Sequence, residues 1–216
     1  MAKLYFNFSA MNAGKSTLLL QASYNYQERG MRSLLFTAAL DNRTKVGEIS
    51  SRIGLKSEAL IYDTELDLHA CIEAQLKEQK INAVFVDEAQ FLTEEQVWQL
   101  ARVADHLHIP VMAYGLRTDF QGKMFPGSAA LLALADILRE VRTICWCGSK
   151  ATMVARVDET GKIVEEGDQV VIGGEESYIS LCRKHWSMRK LGEPTGENKD
   201  ALADILCEPV DHENEV

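Results

Sequence analysis

A run of β-forming residues and a helix-like run enclose the segment that most constrains the fold, Ser9-Ala10-Met11-Asn12-Ala13-Gly14-Lys15-Ser16. The segment matches the P-loop pattern Gly-x-x-x-x-Gly-Lys-Ser/Thr, except that Ser9 stands at the first glycine position. In a P-loop the backbone amides point at the phosphates of a nucleotide, the lysine adds a positive charge, and the last hydroxyl can coordinate magnesium. The segment therefore predicts a phosphate site between a strand and a helix. The alternative is an ordinary turn that contains Gly-Lys-Ser by chance.

The first 145 residues alternate short apolar runs with helix-like segments, a pattern typical of βα units around a parallel sheet. The predicted strands are Leu4–Phe8, Ser33–Thr37, Ala59–Ile61, Ala83–Asp87, Val111–Tyr114 and Val141–Ile144. The predicted helices are Ser16–Glu28, Asp67–Gln79, Glu94–His106 and Ala129–Leu138. Thr93 and Gln96 predict a reciprocal capping box at the start of the third helix. We expect an α/β fold, a P-loop parallel sheet flanked by helices.

The sequence changes in character after about residue 145. Short β-like runs at 151–157 and 162–164 are joined by Asp-Glu-Thr-Gly, which predicts a hairpin. We therefore expect a P-loop domain over residues 1–144 and a small β domain, similar to a zinc ribbon, over residues 145–191. Residues 192–216 are acidic and contain Gly, Pro and Asn, so we expect a tail without fixed structure.

Asp87 and Glu88 follow the apolar run Ala83–Val86, which resembles a Walker B strand that ends in a carboxylate. In an extended strand end the two side chains point in opposite directions, so one can face the metal while the other faces a nucleophile. We assign Asp87, with Ser16, to magnesium, and Glu88 to the general base that takes a proton from a substrate hydroxyl. The alternative is that Glu88 is a solvated loop residue.

The same Asp-Glu pair also occurs in ATP hydrolases, in which the glutamate activates water. A motor of that class needs a second nucleotide-binding lobe and a basic track for nucleic acid, and this sequence predicts neither. Transfer of phosphate to a small molecule is therefore favoured, with an ATP-hydrolysing switch as the second hypothesis. A zinc-ribbon adaptor that only holds a nucleotide is the third.

Two close pairs, Cys145/Cys147 and Cys182/His185, provide three thiols and one imidazole. This is a complete set of ligands for a tetrahedral structural zinc ion. The alternative is three buried apolar thiols and a surface histidine. Cys71 and Cys207 have no partner nearby in the sequence, so we expect neither to bind metal.

The net charge of −9 is concentrated near the end of the chain, because residues 192–216 carry eight acidic residues and one lysine. A charge of only −2 is left for residues 1–191, which argues against a basic surface for nucleic acid. The longest apolar runs are shorter than the about 20 residues that span a membrane, and no signal peptide is visible. We expect a cytoplasmic protein that binds neither nucleic acid nor a membrane.

Taken in order, these segments resemble the cytosolic, zinc-containing (type II) thymidine kinase family, and especially its bacterial members. The resemblance covers about residues 3–188 and also rests on Tyr114-Gly115-Leu116-Arg117-Thr118-Asp119-Phe120 and on the segment from Val170 to Tyr178. It implies transfer of the γ-phosphate of ATP to the 5′-hydroxyl of thymidine or deoxyuridine, with Mg²⁺ and a structural Zn²⁺ as cofactors. It also implies a homotetramer and feedback inhibition by thymidine triphosphate.

The resemblance further assigns residues to the two substrates. The ATP site would comprise the eight residues from Ser9 to Ser16 together with Asp87, Glu88, Ala89 and Gln90. Arg43 matches an arginine that approaches the phosphates, although a free surface arginine is the alternative. A loop that covers the nucleoside would be formed by Gln169, Val170, Val171, Ile172 and Gly173, with Tyr178 at its far end. Four side chains would surround the base, with core packing as the alternative for each: Met11, Phe91, Leu116 and Phe120.

Overall fold

Six short strands form one parallel sheet in the computed structural model, which describes residues 2–40, 46–169 and 178–192. The strands of the chain are β1 (Leu4–Ser9), β2 (Ser33–Ala38), β3 (Glu48–Ser50), β4 (Lys56–Glu58), β5 (Leu60–Tyr62), β6 (Ala83–Val86), β7 (Val111–Leu116), β8 (Ile137–Glu140), β9 (Thr143–Ile144), β10 (Lys150–Ala151), β11 (Met153–Val157), β12 (Ile163–Val164) and β13 (Tyr178–Leu181). The helices are α1 (Lys15–Gln27), α2 (Leu68–Glu78), α3 (Glu94–His106), α4 (Pro126–Leu134) and α5 (Arg183–Ser187).

The main sheet has the order β5-β2-β6-β7-β1-β8, and its strands are parallel. Its central strands are buried on both faces, as expected where helices cover a parallel sheet on each side. In β6, Val84 and Val86 join a core with α2, α3 and α4, whereas Ala83 and Phe85 join a second core with α1. Because β1, β6 and β7 are parallel, their carboxyl ends lie at one edge of the sheet. The predicted site residues come directly after these strand ends.

The predicted α/β class and the βα alternation are confirmed. The first two predicted helices are confirmed with ends that differ by one residue each. The third has the predicted bounds, and its Thr93–Gln96 capping box is present. The box closes because the Thr93 hydroxyl accepts from Gln96 N while Gln96 Oε1 accepts from Thr93 N.

The end of the fourth helix was predicted wrongly. The helix Pro126–Leu134 ends before the predicted Leu138, and Ile137–Glu140 instead form the sixth strand of the main sheet. The Asp136 carboxylate accepts a hydrogen bond of 2.7 Å from Leu4 N, which holds this segment beside the start of β1. Of the predicted strand Val141–Ile144, Val141 N donates to Phe8 O of β1 just after β8, and Thr143–Ile144 pair with β10 instead of the main sheet.

The short hairpin of β3 and β4 was not predicted from the sequence. Its strands are polar and three residues long, so they lack the apolar alternation that identifies a strand. Ser51 closes its turn, because Ser51 N donates to Leu55 O and Leu55 N donates to the Ser51 hydroxyl. This hairpin places the residues after β3 beside the start of α1.

The small β unit, defined as β9 to β13 with α5, has its own apolar core. The predicted hairpin is confirmed, and the Asp158 carboxylate accepts from Thr160 N and Lys162 N in its turn. Strand β13, which was not predicted from the sequence, pairs with β11. Trp186 donates to Phe120 O (3.1 Å) and Val154 O (3.0 Å), which joins the unit to the loop after β7.

The division into domains at residue 144 stays a prediction, and the predicted tail lies outside the described residues except for Gly192. Within the described residues no helix is both long enough and apolar enough to cross a membrane.

Candidate active site

The phosphate loop, Ser9–Ser16, connects β1 to α1 as predicted. The loop turns sharply, with left-handed backbone at Asn12 (φ 60°) and Gly14 (φ 80°). Lys15 is 8% exposed, and its ammonium donates to Ser9 Oγ (3.0 Å) and Ala10 O (3.2 Å). The lysine is thus held inside the curve of the loop, where the phosphates of a nucleotide would lie.

Ser9 fits the first position of the loop without strain. It is the last residue of β1 and pairs with Leu116, so its backbone is extended and needs no glycine. Its hydroxyl donates to Ala10 O at 2.6 Å and accepts from Lys15. The substitution therefore adds a polar group that helps to orient the lysine.

The acidic turn, defined as Asp87–Gln90, follows β6 directly. The extended backbone predicted for Asp87–Glu88 is wrong at Glu88, which is left-handed (φ 51°, ψ 37°) and precedes a short 3-10 helix, Ala89–Phe91. The Tyr62 hydroxyl donates to Glu88 O at 2.8 Å and approaches Asp87 O at 3.3 Å. Asp87 and Glu88 are only 2% and 8% exposed, so Glu88 is not a solvated loop residue.

The phosphate loop and Glu88 face one cleft of about 240 Å³. Its lining consists of Met11 to Thr17, of Glu88 and Leu116, and of a wall from Ser50 to Ile53. The structure thus brings together Lys15 and Glu88, which lie 73 positions apart in the sequence. A phosphate beside Lys15 and a hydroxyl beside Glu88 could meet in this space.

The wall from Ser50 to Ile53 was missed by the sequence analysis, because it depends on the unpredicted β3–β4 hairpin. The available signal in the sequence was the glycine at the end of the turn Ser51 to Gly54, because a left-handed glycine is typical of tight turns. In the structure Gly54 has a φ of 86°. Arg52 in this turn adds a second positive side chain to the cleft.

The residues assigned to the nucleoside lie in different surroundings. Met11 and Leu116 line the cleft. Phe91 packs edge-on against Phe125, with 6.0 Å between ring centroids, and also contacts the core. Phe120 is buried beneath the Arg156 guanidinium, which lies 4.2 Å from its ring centroid.

The covering loop is described only at its two ends. Gln169 donates from its amide to Asp119 Oδ2 at 2.9 Å, and Tyr178 begins β13 beside Arg156. Arg43, Val170, Val171, Ile172 and Gly173 lie outside the described residues.

The four predicted zinc ligands converge, with their ligand atoms all within 4.8 Å of one another. The sulfur atoms of Cys147 and Cys182 are 3.9 Å apart, and His185 Nδ1 lies 3.5 Å from Cys145 Sγ and 3.4 Å from Cys182 Sγ. Around a tetrahedral zinc with bonds of about 2.3 Å, sulfur atoms lie about 3.8 Å apart. The cluster is therefore compatible with zinc.

The surroundings of the cluster support metal binding. The hydroxyl and backbone N–H of Ser149 lower the pKa of the exposed Cys147 thiol to about 6, whereas burial raises the pKa of Cys145. Thiolate is the form that binds metal, so Cys147 is suited to act as a ligand near neutral pH. The Trp146 ring stacks on His185 with 4.2 Å between centroids and limits the motion of the imidazole.

Comparisons with known proteins agree on one family. The sequence model of a family described as thymidine kinase matches residues 2–186. The chain is 66% identical over 191 residues to a thymidine kinase of Rhizobium meliloti, which covers 88% of this chain and 98% of the relative. It is 65% identical over 186 residues to a thymidine kinase of Agrobacterium fabrum, and the aligned region covers 86% of this chain and 96% of that relative. It is 60% identical over 186 residues to a thymidine kinase of Yersinia pestis, and the aligned region covers 86% of this chain and 95% of that relative.

Proposed function

The chain belongs to the thymidine kinase family, and from this premise we propose how its cleft phosphorylates thymidine or deoxyuridine with ATP in nucleotide salvage. The observation that carries the proposal is the shared cleft, in which Lys15 and Glu88 face the same space. A phosphoryl donor held by the phosphate loop and a hydroxyl held at Glu88 would lie side by side there. Positioning of this kind is the main contribution of a protein to phosphoryl transfer.

In the proposed reaction Glu88 takes the proton of the 5′-hydroxyl as its oxygen attacks the γ-phosphorus. A bond forms between that oxygen and the γ-phosphorus, and the bond from the γ-phosphorus to the oxygen bridging to the β-phosphate breaks, which releases ADP. Lys15 balances the negative charge on the transferred group. Arg43, which the family resemblance assigns to the phosphates, would supply a further cation.

Magnesium would neutralise charge on the phosphates, and we propose that Ser16 and Asp87 hold it. Their hydroxyl and carboxylate oxygens are ligands of the type that Mg²⁺ prefers. The backbone of Ser9 to Ser16 would hold the phosphates. The acidic turn would face them through Glu88, which lines the cleft, whereas Gln90 does not line it. Zinc at Cys145, Cys147, Cys182 and His185 would have a structural role.

We propose that the nucleoside base lies beyond Glu88, between Met11 and Leu116 on one side and the loop Gln169–Gly173 on the other. Phe91, Phe120 and Tyr178 would support this pocket. The family resemblance also supports a cytoplasmic homotetramer that thymidine triphosphate inhibits, and a boundary between two domains near residue 144.

A coupled assay of ADP formation with ATP, Mg²⁺ and a panel of nucleosides tests the function. Thymidine and deoxyuridine should be phosphorylated, and hydrolysis of ATP without a nucleoside should be slow. Glu88→Gln removes the base but keeps the size of the side chain, so we expect kcat to fall about 10²-fold or more with ATP binding retained.

Glu73→Gln, which changes an exposed carboxylate on α2 in the same way, is the matched control and should keep the parent rate. Glu88 is not the base if Glu88→Gln phosphorylates thymidine at the parent rate. ATP hydrolysis that is independent of thymidine and stimulated by nucleic acid would instead favour the switch hypothesis.

A further inference from the structure

The side chain of Gln90 lies between the proposed base and the end of β7. It is 2% exposed, its amide nitrogen is 2.5 Å from Glu88 Oε2, and its amide oxygen is 3.0 Å from Leu116 N. Leu116 itself lines the cleft. One carboxamide therefore bridges Glu88 and the strand end that forms part of the nucleoside side of the cleft.

The orientation of this carboxamide is fixed by its partners. A backbone N–H can only donate, so the group that faces Leu116 N has to be the Gln90 oxygen. The amide nitrogen then necessarily faces Glu88 and donates to its carboxylate. A hydrogen bond to an ionised acceptor is stronger and more directional than one between neutral groups.

Backbone packing encloses the acidic turn and leaves Gln90 little freedom. A Cβ added to Gly115 would lie 2.9 Å from both Gln90 N and Gln90 Oε1. On the other side, a Cβ on Gly127 would lie 2.9 Å from Gln90 O and 2.7 Å from Ala89 O. The backbone of Leu116 is also held through its carbonyl, since the Ser128 hydroxyl donates to Leu116 O at 2.5 Å.

We propose that Gln90 is a positioning residue that acts through Glu88, and not by contact with ATP. Its amide fixes the plane of the Glu88 carboxylate relative to Leu116, so the base and the nucleoside pocket keep one geometry. This inference rests on the proposed function, because it gives Glu88 the role of base. A misplacement of the base by about 1 Å costs on the order of 10²-fold in rate.

Gln90→Glu provides a test that a purely structural role would not satisfy. The introduced carboxyl can still accept from Leu116 N, but its second oxygen can bond to Glu88 only while it carries a proton. We therefore expect the kcat of the variant, relative to the parent at the same pH, to be near one at low pH. This ratio should fall about 10²-fold as pH rises and the introduced carboxyl ionises. KM for ATP should stay within about twofold of the parent, because Gln90 does not contact ATP in this proposal.

Gln90→Met, which keeps the length and loses the amide, should lower kcat without this trend with pH. Lys15, Arg52 and Glu88 line the cleft and Asp87 adjoins it, and they are the same in parent and variants. A trend with pH that is confined to Gln90→Glu therefore belongs to the introduced carboxyl.

Gln96→Glu is the matched control. Gln96 is also 2% exposed and donates from its amide, to Asp63 O at 2.6 Å, but it lies at the start of α3. This variant reports the loss of stability caused by a buried carboxylate, and its kcat per folded enzyme, with folding checked by circular dichroism, should stay at the parent value.

Two results would overturn the proposal: the parent kcat in Gln90→Met, or a rise in KM for ATP with kcat unchanged. If Gln90→Glu does not fold, Gln90→Met decides alone. The proposed function is tested separately by Glu88→Gln. An inactive Glu88→Gln with fully active Gln90 variants would reject the positioning role and leave the base role intact, and a fully active Glu88→Gln would reject both.

Discussion

At the scale of single residues, Lys15 is a buried charge inside the phosphate loop. Its ammonium bonds to Ser9 Oγ and Ala10 O inside the phosphate loop. Taking a charge out of water costs free energy, so a buried lysine needs polar or charged partners. A buried lysine that also lines a cleft is suited to an anionic ligand, which here would be the phosphates of ATP.

We expect Lys15→Met to lower kcat/KM for ATP by about 10²-fold or more, because the cation that balances the transferred phosphoryl group is lost. The melting temperature should show that the variant still folds. Steady-state kinetics and a thermal melt measure the two effects. Lys77→Met, at an exposed lysine of α2, is the control that should change neither quantity. Lys15 has no role with phosphate if kcat/KM stays at the parent value.

Most of the proposed site residues could be predicted because their chemistry depends on short spacing in the sequence. Lys15, the Asp87–Glu88 pair and the four metal ligands all lie in compact motifs. The left-handed backbone of Glu88 and the bridge formed by Gln90 could not be predicted. They arise where Gly115 and Gly127 let other elements approach the acidic turn, and that approach depends on tertiary packing.

At the scale of elements, helices and strands were predictable where the periodicity of apolar residues is strong. They were not predictable where a tertiary contact determines the boundary of an element. Buried apolar strands and amphipathic helices gave correct elements around β1, β2, β6 and β7. The boundary between α4 and β8 depends on the bond from Leu4 N to Asp136, made 132 residues apart. No local propensity contains that contact, so the apolar run Ala129–Leu138 was assigned as one helix.

Gly127→Ala tests how closely α4 approaches the acidic turn. Alanine is the better helix former by about 1 kcal/mol, so propensity alone predicts stabilisation. The added Cβ would lie 2.6 Å from Leu92 O and 2.7 Å from Ala89 O, and these backbone atoms cannot move as a flexible side chain could. We expect the clash to dominate, with a loss of about 1–3 kcal/mol in the free energy of unfolding and a lower kcat.

Urea denaturation and steady-state kinetics measure these effects. Ala133→Ser, at an exposed position of the same helix, should change stability by no more than about 0.5 kcal/mol. A Gly127→Ala variant that is more stable than the parent would mean that α4 does not pack this closely.

At the scale of the whole molecule, the small β unit contacts both the phosphate loop and the segment that follows β7. Ser180 donates to Met11 O in the phosphate loop at 2.5 Å, and Trp186 donates to Phe120 O after β7. Arg117 donates to Thr152 O at 3.0 Å. The hairpin and the metal ligands of this unit could be predicted, but the pairing of β13 with β11 joins segments about 25 residues apart and has no local signal.

Zinc removal should therefore disturb the cleft as well as the small β unit. The apolar core of that unit is small, so we expect much of its order to depend on the metal. Chelation should lower the melting temperature, change the fluorescence of Trp146, which stacks on a ligand, and raise KM for thymidine through the contacts with Met11 and Phe120. Cys147→Ser should reproduce these changes and reduce the zinc content measured by elemental analysis, whereas Cys71→Ser, outside the cluster, should not. A purified protein that contains no zinc but has the same melting temperature and KM with and without added zinc would exclude a structural metal.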